Sequence, residues 1–91
     1  MAEADQKIHT IRAEMVANVL SVSVTIGESV IIGQTVLLLD SMKMEIPVLS
    51  EVSGKVIEIA VTPGEIIQEG DPLIMIAEQW KWALNNFQKS I

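Results

Sequence analysis

Apolar and polar residues alternate in two stretches of this chain and run together in two others. In residues 18–25, Leu20, Val22 and Val24 face one way and Ser21 and Ser23 the other, which predicts a half-buried strand. Residues 55–62 repeat the texture through Ile57, Ile59 and Val61. Each stretch leads into a segment bracketed by two glycines, 27–33 and 64–70. Glycine accepts positive φ at little cost, so tight turns are expected at the brackets. An uninterrupted apolar run follows in each case, at 36–39 and 73–76. Such a run predicts a strand buried on both faces, or a half-buried one whose outer face is covered.

The two patterns are copies of each other. A shift of 37 positions lays Glu14, Val19, Val24, Thr25, Gly27, Glu28 and Gly33 on Glu51, Val56, Val61, Thr62, Gly64, Glu65 and Gly70 without a gap. Residues 36–44 contain no Gly, Pro or Asn and by themselves also fit a helix; the repeat decides for a strand. The same shift places residues 7–12 on 44–49, so each is the opening strand of its copy. The last strand of the first copy then ends near Ser41, and Met42 and Lys43 must reverse the chain. Two-residue hairpins favour Asn-Gly or Asp-Gly, because both central residues need positive φ. Met-Lys is a poor choice, and breaches of that kind are expected where function overrides stability.

Composition narrows the function. The chain has 91 residues, enough for one domain with a modest core, and 49% of them are apolar. A net charge of −6 without basic clusters argues against nucleic acid and against an anionic membrane surface as partners. There is no cysteine, so no disulfide or thiolate metal site, and the lone His9 reads as an ordinary strand residue. Residues 1–7 lack the apolar core of a signal peptide and no run spans a bilayer, so the cytoplasm is the expected location.

An exposed lysine is almost wholly protonated at neutral pH and is a weak catalyst alone. The neighbours Asp40 and Glu45 favour the ammonium form. A lysine that another enzyme modifies needs only exposure and a recognisable frame. Met42 and Met44 are candidates for that frame, because thioether side chains adapt to partner surfaces. The alternative is that both lie in the core.

Asp40-Ser-Met-Lys-Met-Glu-Ile-Pro47, set between two β repeats, resembles the biotinyl/lipoyl attachment domain family, closest to its small single-domain biotin carboxyl carriers. Val52-Ser-Gly-Lys-Val56 and Thr62-Pro-Gly64 are similar to the second half of that family. The resemblance implies an all-β flattened barrel, a barrel-sandwich hybrid of two quasi-symmetric four-stranded antiparallel sheets, over residues 7–77. Lys43 would lie at one hairpin and the chain ends near the opposite end. Residues 1–6 would be a flexible terminus. The resemblance also implies that Lys43 carries covalent biotin, installed by a biotin protein ligase, with Met42 and Met44 as flanking recognition residues. The chain would not be an enzyme. It would move carboxylate between biotin carboxylase and carboxyltransferase sites, in a cytoplasmic system without nucleic acid or membrane partners.

Three departures accompany the resemblance. Ser41 replaces a common alanine, Ala17 stands where glycine is frequent and puts the preceding turn in question, and no insertion for a protruding thumb follows Thr25. Two other readings remain open: a lipoyl domain, disfavoured by Met44 where alanine is expected, and an unmodified binding or assembly module of the same fold. The tail, residues 78–91, places Trp80, Leu84, Phe87 and Ile91 on one face of a short amphipathic helix, with Trp82 pointing away. That helix would dock on a partner or on the barrel; otherwise the tail is a frayed terminus.

Overall fold

A computed structural model describes residues 7–78. Eight strands account for its regular structure: β1 (Ile8–Arg12), β2 (Ala17–Val22), β3 (Ser29–Val30), β4 (Thr35–Ser41), β5 (Met44–Leu49), β6 (Gly54–Ile59), β7 (Ile66–Ile67) and β8 (Pro72–Glu78). They form two four-stranded antiparallel sheets, ordered β1-β8-β6-β3 and β5-β4-β2-β7. The expected all-β architecture of two quasi-symmetric sheets is therefore found. The amphipathic stripe in the tail lies outside the described residues, as does the N-terminal segment 1–6.

The two copies interlock. Each sheet takes two strands from each copy, since β3 pairs with β6 and β7 pairs with β2. Backbone bonds repeat the 37-residue shift: the Gly27 amide donates to Val56 O and the Gly64 amide to Val19 O, both at 2.7 Å. The conserved spacing of Thr and Glu around the first bracket glycine has a local cause. The Glu28 carboxylate accepts from the Thr25 amide at 3.0 Å, and the Glu65 carboxylate accepts from the Thr62 amide at 3.1 Å. All four bracket glycines have φ between 90° and 94°, in the region where a side chain is strained.

The core lies between the sheets, centred on Val36, Leu37, Val56, Leu73, Ile74 and Ile76, none of which reaches solvent. Burying side chains of this size is worth about 1.5–3 kcal/mol each relative to exposure. Val36 and Leu37 are adjacent and both buried, because the β4–β5 register shifts between Thr35 and Leu37. Leu38 next to them is half-buried, so the apolar run combines both predicted arrangements.

The alternation predicted for residues 18–25 and 55–62 needs correction. Leu20 and Ile57 face outward, each 41% exposed, while Val19 and Val56 point into the core. A β-bulge is the reason. The β2–β4 register shifts between Val19 and Ser21, and the β6–β8 register shifts at the equivalent place, between Val56 and Glu58. One extra residue on the bulged strand resets the side-chain phase, so Val22 and Val24 return to the core side. The regular strands also end at Val22 and Ile59, before the predicted limits of 25 and 62.

Candidate functional site

The hairpin joining β4 to β5 closes through Ser41 opposite Met44, which leaves Met42 and Lys43 as its two central residues. Both adopt positive φ, 52° and 66°, and among the described residues they are the only non-glycine positions that do. Positive φ at both places is the demand of a type I′ turn. The expected breach of turn chemistry is thus present, at a cost of about 1 kcal/mol or more for each residue. The turn twists in the sense of its flanking strands, so the hairpin is short and leaves Lys43 at its tip.

The surroundings leave the amine uncovered. Lys43 is exposed, and among the described residues it has no hydrogen-bond or ion-pair partner. Met42 is 91% exposed and Met44 62% exposed, so neither belongs to the core. The structure brings all three predicted site residues together at one tip. Asp40 and Glu45 are directly paired behind it, across β4 and β5. A side-chain contact between His9 Nε2 and Glu51 Oε1, at 2.6 Å, lies elsewhere, with His9 on β1.

Residues beside the tip that the sequence reading passed over are Met15 and Val16, both exposed. The Ser41 hydroxyl donates to Val16 O at 3.3 Å and ties this segment to the hairpin. The signal was a break in the repeat at Val16, which falls on the polar Ser53. The turn before β2, put in question by Ala17, forms as the matching bend of the second copy does. Its Cβ has a local consequence. Gly54 pairs with Glu78 so closely that a Cβ there would lie 2.1 Å from Ala77 O, whereas the β2–β4 ladder starts one step later, at Asn18 and Asp40.

The internal symmetry also locates the chain ends. Met44 corresponds to Lys7 and Ser41 to Glu78, and the Glu78 amide donates to Lys7 O at 2.8 Å where the hairpin would otherwise close. One end of the symmetry therefore carries a covalent tip with Lys43, and the other carries the entry and exit of the chain. No group of three or more His, Asp or Glu among the described residues could hold a metal ion. No helix among them is long and apolar enough to cross a membrane.

Comparison with known proteins agrees with this geometry. The family profile described as "Biotin-requiring enzyme", which covers biotinyl and lipoyl attachment domains, matches residues 9–76. A Mycobacterium leprae protein named as a homolog of biotinylated protein TB7.3 is 48% identical over 67 residues, covering 74% of this chain and 94% of its own length. A Bacillus subtilis biotin/lipoyl attachment protein is 38% identical over 68 residues, or 75% of this chain and 93% of that one. Among solved structures, Kluyveromyces lactis urea carboxylase superimposes with a TM-score of 0.73 at 26% identity. That match covers 77% of this chain and 6% of the carboxylase. A single-chain, multi-domain long-chain acyl-CoA carboxylase shares the fold at a TM-score of 0.75 and 22% identity, over 90% of this chain and 9% of its own.

Proposed function

This chain belongs to the biotinyl/lipoyl attachment family, and from that premise we propose that it is a biotin carboxyl carrier, modified on Lys43 by a biotin protein ligase. The observation that carries the proposal is the tip itself: a lysine held in a left-handed turn, exposed and unpaired among the described residues. A catalytic lysine needs a pocket or a neighbouring group that frees its lone pair. A lysine offered to a second enzyme needs reach and a recognisable frame, and Met42 and Met44 provide exposed thioethers on either side.

The modification forms an amide between the biotin carboxyl carbon and Lys43 Nζ. The ligase supplies the carboxyl group in activated form; the Lys43 ammonium first loses a proton to free its lone pair, the activating group leaves with the bond electrons as the C–N bond forms, and Nζ gives up a second proton. Biotin supplies a nitrogen able to carry carboxylate. The chain's own contribution is positional. Its sheet presents the tip, and the lysine stem would tether the biotin so that a bimolecular encounter becomes one at high effective concentration. The partners in this reading are biotin carboxylase and carboxyltransferase components.

Two features favour biotin over lipoate: Met44 in place of the alanine expected of a lipoyl domain, and a relative named as biotinylated. The test of shuttling is incubation of the ligase-treated chain with a biotin carboxylase, ATP and labelled bicarbonate. Label should appear on the treated chain and be absent from the Lys43→Arg variant. Equal labelling of both would overturn the role of Lys43.

A further inference from the structure

The internal repeat supplies its own control for judging which surface residues the fold requires. In the turn between β3 and β4, Ile31 and Ile32 are 66% and 68% exposed. The equivalent turn between β7 and β8 carries Gln68 and Glu69. Both turns have the same backbone: the Gln34 amide donates to Ile31 O as the Asp71 amide does to Gln68 O. The side-chain brace is repeated too, with the Gln34 carboxamide accepting from the Ile31 amide and the Asp71 carboxylate from the Gln68 amide. The turn therefore forms equally well with polar residues, and two exposed isoleucines need a separate reason.

A third position follows the same rule. Leu49, exposed at the end of β5, corresponds to Arg12, whose guanidinium donates to Gly70 O at 3.0 Å. Leu49 and Ile32 border one cavity of about 410 Å³. At these three positions the polar counterparts lie together on one side of the symmetry, and the apolar members lie near one another on the opposite side, the Gly33 amide donating to Ser50 O between Ile32 and Leu49.

That side is where β8 leaves the barrel. Val30 pairs with Gly54 and Gly54 pairs with Glu78, so the three lie in a row across one sheet. At about 4.8 Å per strand, Glu78 is about 10 Å from Val30, the residue before Ile31. The Ile32 amide donates to the hydroxyl of Ser53, next to Gly54, which holds the turn against this row. The chain continues past Glu78 for thirteen residues, 79–91, and these contain its two tryptophans and its one phenylalanine. Such a segment reaches about 20 Å if helical and more if extended, beyond what the distance requires. The family match ends at residue 76, before this segment.

We infer that residues 79–91 dock back on their own barrel, with their apolar side chains against Ile31, Ile32 and Leu49. The contact is independent of any modification of Lys43. It covers an apolar surface that would otherwise face water, at the end of the barrel that carries the chain termini.

Because Trp80 and Trp82 are the only tryptophans and no tyrosine is present, tryptophan emission and acrylamide quenching of the full chain report on this segment alone. The decisive variant is Ile31→Gln with Ile32→Glu, which copies the sister turn and so suits its backbone. Far-UV circular dichroism verifies that the barrel is retained, and Ile66→Gln, on the distant short strand β7, serves as control. The expected result is blue-shifted, quencher-protected emission in the wild type, a red shift with loss of most of that protection in the double variant, and no change in the control. Solvent-exposed emission in the wild type would overturn the inference. So would unchanged emission in the double variant, an equal shift in the control, or protection that disappears on dilution, which would assign the surface to a second copy or another partner.

Discussion

Asp40 and Glu45 stand directly opposite each other on β4 and β5, one step behind the pair that closes the Lys43 hairpin. Like charges so placed oppose pairing. The equivalent pair at the other end of the symmetry is Ala77 and Ile8, which carries no charge. A pair of like-charged residues and two left-handed residues thus fall in one hairpin, while its counterpart has no such pair. Asp40→Asn is expected to raise stability by about 0.5 kcal/mol, or about 2–4 °C in Tm. Thermal unfolding at low and high salt checks this, because screening should shrink the gain. A lower Tm, or a gain indifferent to salt, would mean that the two carboxylates do not repel in the folded chain.

The turn itself stores more. Replacing Met42-Lys43 by Asn-Gly gives the backbone the residues that a type I′ turn prefers, and the hairpin should gain about 1–2 kcal/mol. The same variant loses the amine. Chemical unfolding should therefore report a more stable protein that no ligase can modify. A stability equal to or below that of the wild type would contradict the assignment of strain to these two residues.

Two glycines separate close packing from backbone freedom. At Gly54 an added Cβ would lie 2.1 Å from Ala77 O, so Gly54→Ala must push β6 away from β8. At Gly27 nothing lies within 4 Å, and only the φ of 94° resists a side chain. Gly27→Ala is expected to cost about 1 kcal/mol and Gly54→Ala at least about 2–3 kcal/mol. Comparable losses from the two in urea titrations would show that the β6–β8 approach relaxes freely.

The bulge makes a prediction that alternation alone would reverse. Leu20→Ala removes an outward side chain and should change stability by less than about 0.5 kcal/mol. Leu37→Ala empties a position with no exposure and should cost about 2–5 kcal/mol. Equal effects would place Leu20 in the core after all.

Much of this fold was legible because the chain writes it twice. The shift of 37 gave the opening strands, the glycine brackets and the tip, and the tip then appeared where the end of the first copy required it. The bulges were not legible from period two, which counts alternation and has no place for an extra residue. Their trace was the adjacent apolar pairs Val19-Leu20 and Val56-Ile57, the same in both copies. The interlocking of copies was also hidden, since a repeat says which strands are alike and nothing about which strands pair. Lys43 could be found because a two-residue turn without Gly, Asn or Asp conflicts with local preference. The opposed carboxylates behind it were visible as acidic neighbours, but their direct pairing needed the register.

The central claim is that Lys43 is the attachment point for biotin, and intact mass after co-expression with a biotin protein ligase tests it most directly. The wild type should gain the mass of one biotin less one water, and Lys43→Arg should gain nothing. No gain in the wild type, a gain that survives Lys43→Arg, or a lipoyl-sized increment in its place would contradict the account.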